Sequence, residues 1–240
     1  YLLCRAKDLK LIRLKMSAKS IALAVRNVVY HCRIGSSTLL GELALAVMFY
    51  VGNRVFMHYL GDTGVGAYGI ACYYMPFFFM VGNSIAQSAQ PIISYNYGID
   101  RWTRIVEARK VLLMTCLGFG VAVSLIFILF PKGLVGLFIP IESEAAIIAI
   151  NGFPLLSIGI LFFILNVAII GYYQSVERMG KATLYVFLRG FVFIVPCFLI
   201  LPKFLGTVGI WLAMPASELL TSLFIALSVL PSRLKSLRKR

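Results

Sequence analysis

Acidic residues and reactive motifs are scarce in this sequence. Nine Asp and Glu residues stand against 23 Lys and Arg, and only 13% of the 240 residues are charged. The five cysteines form no C-x-x-C pair, and the two histidines have no spacing typical of a metal site. The H-E-x-x-H, G-x-S-x-G and P-loop patterns are absent as well. These absences argue against a disulfide framework, a metal centre, a nucleotide-driven motor and a membrane enzyme.

Hydrophobic residues are abundant instead and make up 60% of the chain. A soluble domain does not have this composition, so we expect a polytopic, all-α integral membrane protein in a lipid bilayer. The formal net charge of +14 comes from basic residues between the apolar runs and at the two ends. No basic patch is interleaved with exposed aromatic residues, so a nucleic-acid partner is not expected.

The apolar runs predict a bundle of six membrane-spanning helices. They lie at about residues 35–59, 65–95, 108–130, 145–173, 183–201 and 208–230. Basic and non-basic loops alternate between them, which places both ends of the segment in the cytoplasm by the positive-inside rule.

The same pattern divides the chain into three parts. Residues 1–33 are predicted to be a basic cytoplasmic linker, either an amphipathic helix on the membrane surface or a solvated segment. Residues 34–232 form the six-helix bundle, and residues 233–240 form a basic cytoplasmic tail. The chain begins at Tyr1 without a methionine or the apolar core of a signal peptide, so we expect it to be a fragment of something longer.

Four polar residues mark one face of the second predicted span. Asn83, Gln87, Gln90 and Ser94 fall at i, i+4, i+7 and i+11 of a helix. Uncompensated polar groups are costly in hydrocarbon, so this stripe is expected to face other helices or water. Hydrogen bonding between helices is the commoner explanation, and one wall of a transport pathway is the alternative.

Two acidic residues fall inside predicted spans. Glu42 lies at mid-span, where insertion scales assign an acid a cost of about 2.5 to 3.5 kcal/mol. It is predicted either to carry a coupling proton or cation, or to pair structurally with Arg189, which is otherwise expected to snorkel to the cytoplasmic surface. Glu218 is a second candidate, with a structural role favoured. Asn166 is expected to bond between helices or to line the same interior as Gln87.

Two stretches resemble a known family. Residues 61–70, GDTGVGAYGI, and residues 82–98, GNSIAQSAQPIISYNYG, are similar to the multidrug and toxic compound extrusion (MATE) family. The resemblance implies a twelve-helix transporter made of two six-helix bundles, of which this chain would be the linker and the C-terminal half. Its partners would then be the N-terminal half and a drug-like small molecule. The family exports cationic or amphipathic compounds across the cell membrane by alternating access, with a sodium or proton gradient and no further cofactor.

Repeats of this kind place the substrate near the midplane between the halves. Glu42 and Glu218 are therefore the predicted ion-coupling residues, and Asn83, Gln87, Gln90 and Asn166 line the predicted substrate cavity. Some members of the family carry a glutamate in the span that corresponds to that of Glu42. The fourth span here contains Asn166 but no acid, which leaves the coupling ion open. The alternatives are a lipid-linked saccharide flippase of related architecture and a membrane scaffold subunit that transports nothing.

Overall fold

The computed structural model describes the backbone of residues 18–237 and the side chains of residues 23–32 and 35–228. Every regular element in that part of the chain is helical. The first half of the predicted linker and the last three residues of the predicted tail lie outside it. The helical stretches are Ala18–Gly98, Trp102–Leu129, Pro131–Gly136, Glu144–Ser175, Met179–Phe187, a π-helical turn at Leu188–Phe193, and Ile194–Leu237.

Two of these stretches are each interrupted by one glycine. Gly61 has φ 63° and ψ −157°, and Gly206 has φ 57° and ψ −134°. Residues other than glycine rarely adopt these backbone angles, because their Cβ atom clashes with the backbone. Both glycines lie in predicted turns, so the turn positions are confirmed, although each break takes a single residue. We number the helices α1 (18–60), α2 (62–98), α3 (Trp102–Leu129), α4 (Pro131–Gly136), α5 (Glu144–Ser175), α6 (179–205) and α7 (207–237).

Four helical stretches of the described chain are long and apolar enough to cross a membrane. They are Leu23–Gly98, Trp102–Leu129, Glu144–Ser175 and Met179–Ser228. The first and last contain 76 and 50 residues, whereas one crossing needs about 20. Each of these two contains a glycine break, and division there gives six long helices, α1, α2, α3, α5, α6 and α7. The number of crossings itself stays a prediction.

The chain divides into two compact units between Ser36 and Ser37. In the first unit, residues 18–36 are helical and the side chains of residues 23–32 are exposed. This part of the predicted linker is therefore a helix, and its position on a membrane surface stays a prediction. The second unit begins at Ser37 and contains the hydrophobic core.

Helix α5 is the central element of the second unit, because half of its 32 residues are buried. It packs closely on α7 through glycines. A Cβ atom on Gly152 would collide with the ring of Trp211, and one on Gly159 would lie 2.7 Å from the Cα atom of Pro215. Small residues let membrane helices approach this closely, because lipid offers no hydrophobic force to hold helices together.

The predicted bounds of the spans match the ends of some helices better than others. Helix α5, Glu144–Ser175, matches the predicted span at 145–173 within two residues at each end. Helix α3 begins at Trp102, six residues before the predicted start at 108. The basic segment, predicted to be a loop, instead forms the first turns of the helix, with Arg104 and Glu107 exposed. Where the membrane-crossing part of α3 begins stays a prediction.

Candidate functional site

A π-helical turn shapes the interior face of α6. It spans Leu188–Phe193, and Pro196 follows three residues later. A proline ring clashes with the carbonyl four residues before it, here that of Val192, and a widened turn relieves such a clash. Arg189 lies in this turn and is buried.

Arg189 forms an ion pair inside the bundle. Its Nε atom donates to Oε1 of Glu218 on α7 at 2.9 Å, and only 6% and 4% of the two side chains are exposed. The guanidinium also lies 4.2 Å from the centre of the Phe163 ring. The expectations that Arg189 snorkels to the surface or pairs with Glu42 were therefore wrong. Arg189 is six residues into the predicted fifth span, and its partner comes from a helix that a single sequence does not place beside it.

Asn166 completes the bonding of this pair. Its Nδ2 atom donates to Oε2 of Glu218 at 2.8 Å and to the Glu218 carbonyl at 2.9 Å. Its Oδ1 atom accepts a hydrogen bond of 2.9 Å from the Ser222 hydroxyl. We call Asn166, Arg189, Glu218 and Ser222 the buried cluster. No buried side-chain nitrogen or oxygen in the described part of the chain lacks a partner, so the geometry favours a structural role for Glu218.

A small polar crevice adjoins the buried cluster. It has a volume of about 30 Å³ and is bounded by α1, α2, α5 and α6. Its polar lining residues are Ser37, Thr38, Asn83, Gln174 and Arg189. Nε2 of Gln174 donates to the Ser37 hydroxyl at 2.9 Å, which ties α5 to α1. A space of this size with several polar lining groups is large enough for one water molecule.

The polar stripe on α2 lies mostly on the surface of this chain. Gln87 and Gln90 are exposed, and Asn83 is half-buried at the crevice. Only Ser94 acts as the expected link between helices, because its hydroxyl donates to the carbonyl of Ser175 at 2.9 Å. No hydrogen bond joins the Gln87 or Gln90 side chain to another described residue. Hydrogen bonding within the described chain therefore does not account for the middle of the stripe.

Glu42 is also exposed, on α1. It follows Gly41, where an ideal Cβ atom would lie in ordinary van der Waals contact with the Phe79 ring of α2, at 3.7 Å. Contacts of Gly41 with Phe79 and of Gly52 with Tyr68 show that α1 and α2 pack antiparallel. Thr38 and Asn83 line the crevice, and Glu42 and Gln87 each lie one helical turn, about 6 Å, further along their own helix. Because α1 and α2 are antiparallel, Glu42 and Gln87 lie on opposite sides of the crevice.

The structure thus separates the six predicted site residues into two groups. Glu218 and Asn166 lie in the buried cluster, whereas Glu42, Gln87 and Gln90 lie on an exposed face of α1 and α2. Asn83 lies between the groups at the crevice. Sequence reasoning did not find the π-helical turn or the Gln174–Ser37 bond. Pro196 inside a predicted span was the available signal for the turn.

The MatE family model matches residues 38–199, which is most of the chain. The chain belongs to the MatE family. No curated protein matches the sequence.

Solved structures of MATE transporters share the fold. The Vibrio cholerae MATE transporter VcmN, in a mutant form, matches with a TM-score of 0.79 at 16% identity, over 99% of this chain and 52% of that one. An outward-facing multidrug resistance MATE family transporter of the MOP superfamily matches with a TM-score of 0.77 at 18% identity, over 87% and 47% of the two chains. A Pyrococcus furiosus MOP superfamily transporter, described as having a binding pocket of reverse polarity, gives 0.74 at 16% identity, over 83% and 46%.

The chain therefore spans about half the length of the solved MATE structures it matches. Its fold is the all-α fold of a multi-pass membrane transporter, as the resemblance of residues 61–70 and 82–98 implied. Membership of this family points to a transporter rather than an enzyme.

Proposed function

We propose that this chain is the C-terminal half of a secondary active multidrug exporter in the plasma membrane. It would export cationic or amphipathic compounds by alternating access, coupled to a sodium or proton gradient, with both ends of this segment in the cytoplasm. The observation that carries the proposal is the exposed polar face of α1 and α2, on which Glu42, Gln87 and Gln90 lie.

This polar face needs a wet environment or a partner. An amide or carboxylate without a hydrogen-bonding partner is costly in hydrocarbon, so we do not expect this face to contact lipid. The chain has about half the length of the solved structures it resembles. A second bundle across this face would enclose a polar cavity between two halves, where transporters built from repeats bind their substrates.

Glu42 is the best candidate for ion coupling. It is ionisable and exposed on the polar face, whereas Glu218 is held by Arg189 and Asn166 through both carboxylate oxygens. A carboxylate in such a cavity can take up a proton or bind a cation in one conformation and release it in the other. Gln87 and Gln90 would supply hydrogen bonds to the substrate.

Drug efflux by the intact transporter tests the coupling role. Glu42→Gln keeps the size of the side chain and its capacity for hydrogen bonding but removes the titratable group. We expect gradient-driven efflux to fall sharply, by more than in Gln87→Ala, while the protein still inserts and keeps its melting temperature. Dye efflux from energised cells and the melting temperature of the purified protein are the two measurements.

Glu142→Gln is the matched control, because Glu142 is an exposed acid in the segment between α4 and α5 and not on α1 or α2. It should leave efflux unchanged. Normal efflux in Glu42→Gln would contradict the coupling role. A loss of stability without a specific loss of coupling would instead identify Glu42 as a structural acid.

A further inference from the structure

A long groove runs between α2 and α3, away from the buried cluster and the crevice. It has a volume of about 480 Å³. Its walls are mostly aliphatic, and its lining includes Ile85, Ala89, Ile92, Ala108, Val111 and Leu112. The Ser88 hydroxyl also lines it but donates to the carbonyl of Ser84 at 2.8 Å, within its own helix. The groove therefore offers a dry, apolar surface along most of its length.

The groove has one charged end. Arg104 and Glu107 line it near the start of α3, and Thr115 lines its other end. The distance along α3 from Arg104 to Thr115 is about 16 Å, since a helix rises 1.5 Å per residue. One leaflet of a bilayer has a hydrocarbon depth of about 15 Å, half of its 30 Å core. The groove is therefore about as long as one leaflet is deep. Like a lipid molecule, it is apolar along its length and charged at one end.

The charged end also has the chemistry of a membrane–water interface. The rings of Tyr97 and Trp102 meet there at 5.7 Å, and Trp102 is half exposed. Tyr and Trp are enriched at the level of lipid headgroups. Arg101 and Arg104 lie exposed around the same turn, and Lys110 lies exposed further along α3. Basic residues just outside a membrane helix attract anionic lipids.

We propose that this groove binds an anionic glycerophospholipid, with an acyl chain along the aliphatic walls and the phosphate at Arg104. The guanidinium provides several N–H donors for the phosphate oxygens. Glu107 opposes the phosphate, because its carboxylate lies 3.5 Å from Nη1 of Arg104 and competes for it. In the predicted topology this lipid belongs to the cytoplasmic leaflet.

Native mass spectrometry of the intact protein tests the site. The protein is titrated with phosphatidylglycerol or with phosphatidylcholine of the same acyl chains. We expect Arg104→Gln to weaken phosphatidylglycerol binding about tenfold, the usual effect of losing a hydrogen bond to a charged group. Binding of phosphatidylcholine, which has no net charge, should change much less. Glu107→Gln should strengthen phosphatidylglycerol binding several-fold, because it removes a like charge and frees Arg104.

Two further variants control for general effects. Arg54→Gln removes an exposed arginine of α1 that lies over the Tyr50 ring, and it should leave both lipids unaffected. Ala108→Leu narrows the groove and should weaken both lipids. Equal phosphatidylglycerol binding in the wild type, Arg104→Gln and Ala108→Leu would overturn the proposal, and it is the result expected if another part of the intact protein covers the groove. None of these measurements depends on transport.

Discussion

At the scale of single residues, the pair of Arg189 and Glu218 decides how the interior is held together. Two charges in a membrane bundle are tolerated only when each is paired and hydrogen-bonded. Here Arg189 and Asn166 each donate to one oxygen of the Glu218 carboxylate, and the Ser222 hydroxyl donates to Oδ1 of Asn166. The cluster therefore joins α5, α6 and α7 at one point.

Loss of Glu218 should destabilise the protein more than loss of Arg189. In Glu218→Met the guanidinium stays charged and buried, because arginine does not lose its proton in proteins. We expect a loss of about 3–5 kcal/mol in the free energy of unfolding. In Arg189→Met the loss should be smaller, because the remaining carboxyl group can take up a proton. The melting temperature of the purified protein in detergent is the measurement.

The double variant Arg189→Met, Glu218→Met should recover most of the stability, because no unpaired charge remains. Glu107→Gln is the control, since its partner Arg104 is 70% exposed and such surface pairs contribute only about 0–1 kcal/mol. Equal melting temperatures for the wild type and Glu218→Met would show that the pair does not stabilise the bundle.

At the scale of helices, two glycines decide where the long helical stretches break. An ideal Cβ atom on Gly61 would meet no other atom within 4 Å. The reason for glycine there is therefore its backbone conformation, with φ 63° and ψ −157°, and not a lack of space.

Gly61→Ala and Gly69→Ala form a matched pair that tests this explanation. A Cβ atom on Gly69 also meets nothing, but Gly69 lies inside helix α2. We expect Gly61→Ala to destabilise the protein by about 1–3 kcal/mol. Gly69→Ala should be neutral or stabilise it by up to about 1 kcal/mol. If both variants melt at the same temperature, the break at Gly61 does not depend on glycine.

The helices were predictable from sequence to the extent that hydrophobic runs and glycine–proline signals determine them. Helix α5 follows from its long apolar run, in which residues 145–175 include no charged residue, and the break at Gly61 lies in a turn recognisable by composition. The partner of Arg189 was not predictable, because it depends on how α6 and α7 lie side by side. The exposure of Gln87 could not be predicted either, since helical spacing gives the face of a helix but not what that face contacts.

At the scale of the whole molecule, the proposal requires two bundles around one site. This chain alone should therefore give no drug resistance when expressed in cells that lack their own exporters, because alternating access needs two halves that move about the substrate. Resistance should return only when the missing half is supplied. Gradient-driven efflux by the reconstituted chain alone would contradict this account.

The predicted topology is tested by single cysteines in a variant without native cysteines. Thiol labels that do not cross the membrane should reach positions 101 and 235 from the cytoplasmic side only, because the basic loops are expected there. A cysteine in place of Lys132, in a predicted outer loop, is the control and should react from outside. Labelling of positions 101 and 235 from outside would exclude six crossings with both ends in the cytoplasm.

The central claim is that the exposed polar face of α1 and α2 lines an aqueous substrate cavity. Its most direct test is the reaction of a charged thiol reagent with Gln87→Cys in the intact transporter without native cysteines. Leu125→Cys is the control, because Leu125 is 49% exposed on the apolar surface of α3. We expect Gln87→Cys to react quickly and to be protected by a transported compound, and Leu125→Cys to stay unreactive. A Gln87→Cys variant as unreactive as the control would show that this face meets lipid or dry protein, and it would contradict the proposed function.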